Sequence, residues 1–328
     1  MDLTTSYLGL ELRNPLVAAP SPLQQTPGGV ISLVDAGVAA VVLHSLFEEQ
    51  VRRDTDPAYA ASLESEPVWF TNPAGPGAPA RYLELIEKSA AAVDVPVIAS
   101  LNGTSSGEWT CFASQVEAAG AAALELNFYV VPGQFRGQGE VVEDALVDLL
   151  VAIRQCVTIP VAVKLPPYFS SLNELAVRLV EKGASGLVLF NRFLQPRLDV
   201  DTLTVEPVIE TSSSAEARLP QTWIAVLRQQ LECSLAGTGG VETADDLAAY
   251  LLAGADVVQC ASAFLRHGRD YARTLLGDLE AWGDRHGFAD VGEVRGRLAV
   301  PWHVDSAGYE REGYVSALQI ARRAYVWR

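Results

Sequence analysis

Long apolar runs are missing from this 328-residue chain. None approaches the roughly 18 to 20 consecutive apolar residues that a membrane-spanning helix needs, so no span is expected. Positive charge is scarce too: 24 Lys and Arg stand against 40 Asp and Glu, a formal net charge of −16. Nucleic acid and anionic lipid attract proteins through Lys and Arg that neutralise phosphate, so neither is expected as a partner. The four cysteines, Cys111, Cys156, Cys233 and Cys260, are far apart and include no CxxC pair. That excludes the usual zinc and iron–sulfur spacings within the chain, leaves no metal expected, and favours buried free thiols. The N-terminal MDLTTSYLGLELRNP lacks the basic segment, apolar core and small-residue cleavage site of a secretory signal, so a cytoplasmic location is the default expectation.

What is present is a repeated unit: a short apolar β-rich run, a polar or glycine-containing turn, then ten to fifteen residues of helical spacing. Eight runs qualify as strands: LVAAP (16–20), AVVLHS (40–45), VIASLNG (97–103), ALELNF (123–128), VAVKLPP (161–167), GLVLFN (186–191), SLAGTGG (234–240) and VVQCAS (257–262). Most are nearly continuous in apolar residues, as parallel strands buried on both faces are. Stretches such as ARYLELIEKSAAAV, VVEDALVDLLVAIRQ, LNELAVRLVEKG and TADDLAAYLLAG place apolar residues three and four apart, the last with Thr243 as cap and Gly254 as stop. The alternation predicts an α/β fold, a closed (β/α)8 TIM barrel over 1–298 with a C-terminal extension over 299–328. An open doubly wound sheet is the alternative, but no strand is followed by GxGxxG. Two insertions, 46–79 and 192–218, follow strand C-termini and are long enough to be lids or binding loops. In the extension, Tyr314, Leu318, Ala321 and Tyr325 fall at helical spacing between Trp302 and Trp327, predicting an apolar stripe buried on the barrel or a second subunit. A homodimer is the expected assembly.

In a barrel of this type the loop-side strand ends build the site, which singles out Ser21, His44 with Ser45, Asn102, Asn127, Lys164, Asn191, the Gly239–Gly240 pair and Ser262. A lone Asn at a strand end is otherwise a turn former. Gly237, Gly239 and Gly240 in AGTGGVETADDL allow tight backbone geometry before a helix, leaving amide groups free to hold a phosphate; a plain glycine turn is the alternative. Lys164 is expensive to bury without a partner, and an anion or an imine-forming carbonyl would each explain it. The stretch ALELNFYVVPG offers one phenol, Tyr129, and no thiol, serine or histidine for proton transfer.

The pieces LRNPLVAAPS, LELN, VAVKLPPYF, GTGGVETADD, VVQCASAF and HGFADVGEVRGRL together resemble the class 1 dihydroorotate dehydrogenases, over roughly residues 3 to 298 in order. The resemblance implies a flavin-dependent (FMN) barrel. It places FMN against Ala19, Pro20 and Ser21, with Asn127 and Lys164 toward its ring and Gly239, Gly240, Ala261 and Ser262 at its phosphate. Ser45, Asn102 and Ser214 are further cofactor-side positions, Ser214 because TSSSA stands where the family has a glycine pair. Asn72 and Asn191 are assigned to substrate.

Three departures qualify this. The family's catalytic cysteine is absent from the segment Tyr129, Val130, Val131, and its strand-two lysine is His44. Its asparagine-bearing substrate loop reads WFTNPAGPGAP, retaining only Asn72. Tyr129, then His44, are the candidate proton-transfer groups; a phenol with its ordinary pKa of about 10 acts as a donor without help but as a base only beside a cation. His267, His286 and His303 lie beyond the eighth strand and are expected in surface or packing roles. The reading is an oxidoreductase passing hydride between flavin N5 and a small organic substrate of the CH–CH type, with a substrate other than dihydroorotate. Alternatives are a true dihydroorotate dehydrogenase of pyrimidine biosynthesis with a displaced base, a lyase using Lys164 as Schiff base, and a flavoprotein subunit serving an electron-transfer partner.

Overall fold

Val, Leu, Ile and Ala fill both faces of eight short parallel strands, and the strands close into a barrel. The computed structural model describes residues 1–63, 77–104, 106–129, 139–192, 196–206, 208 and 210–324. Two short strands, β1 (Thr5–Tyr7) and β2 (Leu10–Leu12), precede the barrel. The staves are β3 (Leu16–Ala18), β4 (Ala40–Phe47), β5 (Val97–Gly103), β6 (Ala123–Phe128), β7 (Val161–Leu165) and β8 (Gly186–Leu189). A hairpin of β9 (Arg197–Asp199) and β10 (Thr204–Glu206) intervenes before β11 (Ser234–Thr238) and β12 (Val257–Cys260). Pairing runs in chain order and β12 closes on β3, with Cys260 beside Ala18. The barrel reading thus holds and the open sheet does not.

Helices follow the staves: Pro27–Asp35, Ala78–Ala92, Phe112–Ala118, Gly139–Cys156, Leu172–Glu181, Arg218–Leu227, Ala244–Ala253 and Tyr271–His286. Thr243 and Asp246 form a capping box at the start of Ala244–Ala253, and Gly254, at φ +122°, ends it. Five strands stop short of their predicted ends, at Ala18, Leu165, Leu189, Thr238 and Cys260; beyond the first two, prolines have no N–H for the ladder. β4 instead runs on to Phe47, past a register shift between Val42 and Ser45. No described helix is long and apolar enough to cross a membrane.

Side chains alternate between the helix layer and the barrel interior with the strand period of two. Small and medium residues point inward: Val17, Ala40, Val42, Ile98, Ala123, Ala162, Val188, Ala236 and Val257. The N-terminal hairpin stoppers this end, adding Tyr7, Leu8 and Leu12 to the same cluster across a turn in which Leu8 (φ 56°) and Gly9 (φ 78°) are both left-handed. Nearby, the buried Asp256 carboxylate binds Arg228 at 3.0 Å, Arg295 at 2.7 Å and the Leu235 amide at 2.7 Å.

The described residues of both insertions include regular elements. Helices Glu48–Thr55 and Pro57–Leu63 fill part of the first; the second contains the β9–β10 hairpin. Beyond Val300, whose amide donates to the Ala225 carbonyl at 2.8 Å, the extension becomes the helix Ser306–Ala324. It is helical as expected, but its stripe does not pack on the barrel: Tyr314 is 67% and Leu318 45% exposed. Tyr325 and Trp327 lie outside the described residues.

One contact links core packing to the loop side. A Cβ on Gly237 would lie 2.2 Å from the Tyr250 ring, and that buried tyrosine's hydroxyl donates to the carbonyls of Thr238 (3.1 Å) and Gly239 (2.7 Å). Gly237→Ala is expected to destabilise the protein by about 1–3 kcal/mol through overpacking, read as a lower urea midpoint with an unchanged slope.

Candidate active site

Strand register assembles the polar strand ends into one rim. Ser45 pairs with Ser100, Asn102 with Asn127, and Asn127 with Lys164 across four adjacent strands. The side chains connect as the register suggests. Asn191 donates to Asn127 Oδ1 at 3.0 Å, Asn127 Nδ2 lies 3.5 Å from Ser45 Oγ, and Ser45 Oγ lies 2.8 Å from Ser100 Oγ. Asn102 and Asn127 are both buried, which suits groups that orient something within the barrel mouth rather than solvated turn formers.

A cavity of about 140 Å³ opens beside this rim. Ala19, Pro20, Lys164, Asn191, Ser212, Gly239, Ala261 and Ser262 all line it. Lys164 and the glycine turn, far apart in sequence, therefore share one space. Lys164 is only 6% exposed and its Nζ lies 3.2 Å from Glu125 Oε1 and 3.4 Å from Gln259 Oε1. Gln259 in turn donates to Glu125 Oε2 at 2.6 Å. This three-strand network accounts for a charge inside the barrel, since a buried ammonium needs both a counter-ion and hydrogen-bond acceptors.

The glycine cradle is built from backbone. Gly239 (φ +93°) has nothing within 4 Å of where a Cβ would stand, so its face toward the cavity is open. Gly240 (φ +68°) is crowded instead: a Cβ there would lie 2.5 Å from the Ala217 nitrogen. Its amide donates to Ser212 Oγ at 3.0 Å, and Ser262 Oγ lies 3.0 Å from both the amide and the hydroxyl of Ser212. Ser212 is thus the member of the serine run inside the cradle. Ser214 is exposed and donates to Asp246 Oδ2 at 3.0 Å, at the cap of the following helix.

Other expected site residues fall differently. Ser21 caps the short turn Pro22–Gln24 through its hydroxyl, 3.2 Å from the Leu23 amide, so it shapes the loop after β3. His44 sits at the β4 irregularity with its ring edge-on to Tyr82, centroids 5.3 Å apart, and burial pushes its pKa below the usual value. Its Nδ1 is buried without a hydrogen-bond partner. Tyr129 is half-buried at the rim directly after β6. Asn72, Val130 and Val131 lie outside the described residues. His267 bonds Glu242 at 2.6 Å, and His286 packs against Trp282 at 4.9 Å, away from the rim. The four cysteines are free, but contrary to expectation only Cys260 is buried; Cys111 is exposed and Cys156 and Cys233 are half-buried, and burial pushes the Cys260 thiol up to about 12. Among the described residues no group of three or more potential metal ligands comes together.

Glu125, Gln259, Ser212 and Thr238 escaped the sequence reading. A signal existed for the first: in ALELNF a carboxylate stands two residues before Asn127 and so faces the same interior. Gln259 carries the same signal, as a polar residue in an otherwise apolar strand.

The dihydroorotate dehydrogenase family profile matches residues 2–282. The catalytic subunit of dihydroorotate dehydrogenase B (NAD(+)) from Methanothermobacter thermautotrophicus is 27% identical over 304 residues, covering 90% of this chain and 97% of that protein. Dihydroorotate dehydrogenase A (fumarate) from Lactobacillus delbrueckii is 29% identical over 63% of this chain and 68% of its own length. The chloroplastic dihydropyrimidine dehydrogenase (NADP(+)) of Arabidopsis thaliana is 29% identical over 57% of this chain and 48% of its own. With the barrel, the strand-end residues and a match spanning most of its length, this chain belongs to the dihydroorotate dehydrogenase family.

Proposed function

We propose that the protein is an FMN-dependent oxidoreductase acting in the cytoplasm on a CH–CH bond of a small organic substrate other than dihydroorotate. The observation that carries this is the shared cavity, lined both by a cation and by a glycine–serine cradle. The residues fit the group. Open space over Gly239 lets a phosphate approach the backbone, and Ser212 and Ser262 add hydroxyls beside the Gly240 amide. FMN, when bound, supplies the hydride-accepting chemistry. Ser212, Gly239, Gly240, Ala261 and Ser262 would hold its phosphate, and Lys164 would set a positive charge near its ring, where charge tunes flavin electronics. Asn127, fixed by Asn191 and Ser45, would orient the reacting pair at the rim, and the Tyr129 hydroxyl would deliver or hold the proton.

The Lys164–Glu125 ion pair favours this reading over a Schiff-base lyase, because an amine engaged as an ammonium is no nucleophile. The second reading is true dihydroorotate dehydrogenase, supported by the names of relatives covered over nearly their whole length. Against it stand His44 turned onto Tyr82 and the missing cysteine. An electron-transfer partner is suggested by the catalytic-subunit relatives, and a homodimer by the prevalence of two-fold assemblies.

Two measurements test the proposal. The purified protein is expected to be yellow and to release FMN, not FAD, on denaturation and chromatography; a colourless protein that takes up no FMN on reconstitution refutes the cofactor. Dihydroorotate is expected to bleach the flavin slowly or not at all in anaerobic stopped flow, because loss of a positioned base alone removes about a hundredfold to ten-thousandfold of rate. Rapid, saturable bleaching would overturn the divergent-substrate reading, and its loss in Tyr129→Phe would identify Tyr129 as the displaced base.

A further inference from the structure

We propose that Glu125 is a positioning residue that sets the electrical strength of Lys164 at the cavity wall, and with it the reduction potential of a bound flavin; this rests on the flavin reading above. Lys164, Glu125 and Gln259 come from β7, β6 and β12 and are 6%, 0% and 1% exposed. Lys164 and Gln259 line the cavity, whereas Glu125 does not. The carboxylate stands behind the ammonium at 3.2 Å, so the cavity faces the positive end of a buried dipole and not a bare charge.

Gln259 fixes that geometry. Its amide nitrogen donates to Glu125 at 2.6 Å and its oxygen accepts from Lys164 at 3.4 Å, so opposite charges at its two ends determine which way the amide points. One step toward solvent, Asn127 and Asn102 are uncharged. Glu125 is therefore the carboxylate placed to oppose the lysine within this interior row. A buried charge acts through low dielectric and is weakly screened by salt, so its removal is felt across the cavity. Deleting a negative charge there makes an anionic reduced flavin easier to form. Deleting the positive charge does the opposite.

The test compares midpoint potentials of the flavin-bound protein, by anaerobic dye equilibration, in the unaltered chain, Glu125→Gln, Glu125→Asp and the double variant Glu125→Gln with Lys164→Met. Glutamine preserves the shape and a hydrogen bond to Gln259, so a purely structural role predicts no change. The expected result is a more positive potential in Glu125→Gln, equivalent to at least a tenfold preference for reduced over oxidised flavin relative to the unaltered chain. The potential should return toward the original in Glu125→Asp and fall again in the double variant. An unchanged potential in a Glu125→Gln protein that still binds flavin overturns the proposal. Positioning is read separately in flavin-free protein. Lys164 is one of three lysines, and Lys88 and Lys182 are exposed, so acylation of each is followed by peptide mass spectrometry. Lys164 is expected to react at least tenfold faster in Glu125→Gln and in Gln259→Met than in the unaltered chain, with the other two unchanged. Equal Lys164 rates overturn the positioning role even if no variant holds flavin. A colourless unaltered protein with faster Lys164 labelling in the variants sinks the flavin reading, and the potential-setting claim with it, and leaves the positioning intact.

Discussion

A closed barrel has no edge and a fixed interior, and this geometry governs everything polar in the protein. Because the staves send alternate residues inward, each interior position must be filled or justified. Toward the N-terminal end small apolar residues and the hairpin stopper do the filling. Toward the other end Glu125, Lys164 and Gln259 satisfy one another, and above them stands the asparagine and serine rim, of which Asn191 lines the cavity. The polar content of the interior thus rises in steps along the barrel axis. Chemistry is confined to the end where loops can reach it.

That arrangement explains which features were legible in sequence. The eight strands and most helices could be read because burial on both faces forces apolar runs, and because caps such as Thr243 and Gly254 leave local signatures. Lys164 and Gly239–Gly240 stood out as residues that a barrel core does not tolerate without cause. Glu125 was equally anomalous, two residues before Asn127 in an apolar strand, but the partner that justifies its burial lies 39 residues later. Ser212 could not be separated from Ser214 by pattern, since three successive serines carry no register; the fold chooses by turning one inward to Ser262 and another to a helix cap. The C-terminal helix shows the converse limit. Helical spacing determines that a stripe exists but not what covers it, and the barrel leaves Tyr314 and Leu318 exposed.

On the function proposed above, the chain would keep its family's cofactor positions and alter those around the substrate. Ala19, Lys164, Gly239 and Ser262 all line the one cavity. His44 is aimed instead at Tyr82 on an outer helix. Fold alone does not decide activity, and on that proposal the altered positions would decide which molecule is accepted.

The tyrosine behind the glycine turn bears on how the proposed cofactor would come and go. Tyr250 fastens the carbonyls of Thr238 and Gly239 from the core side, while Ser212 and Ser262 brace the same turn from the other. The receptor is consequently shaped by the polypeptide and does not wait for its ligand to fold it. If the flavin proposed above occupies this cavity, its loss would leave a preformed socket, so departure and return would be a reversible exchange, and flavin analogues could be loaded without refolding the chain.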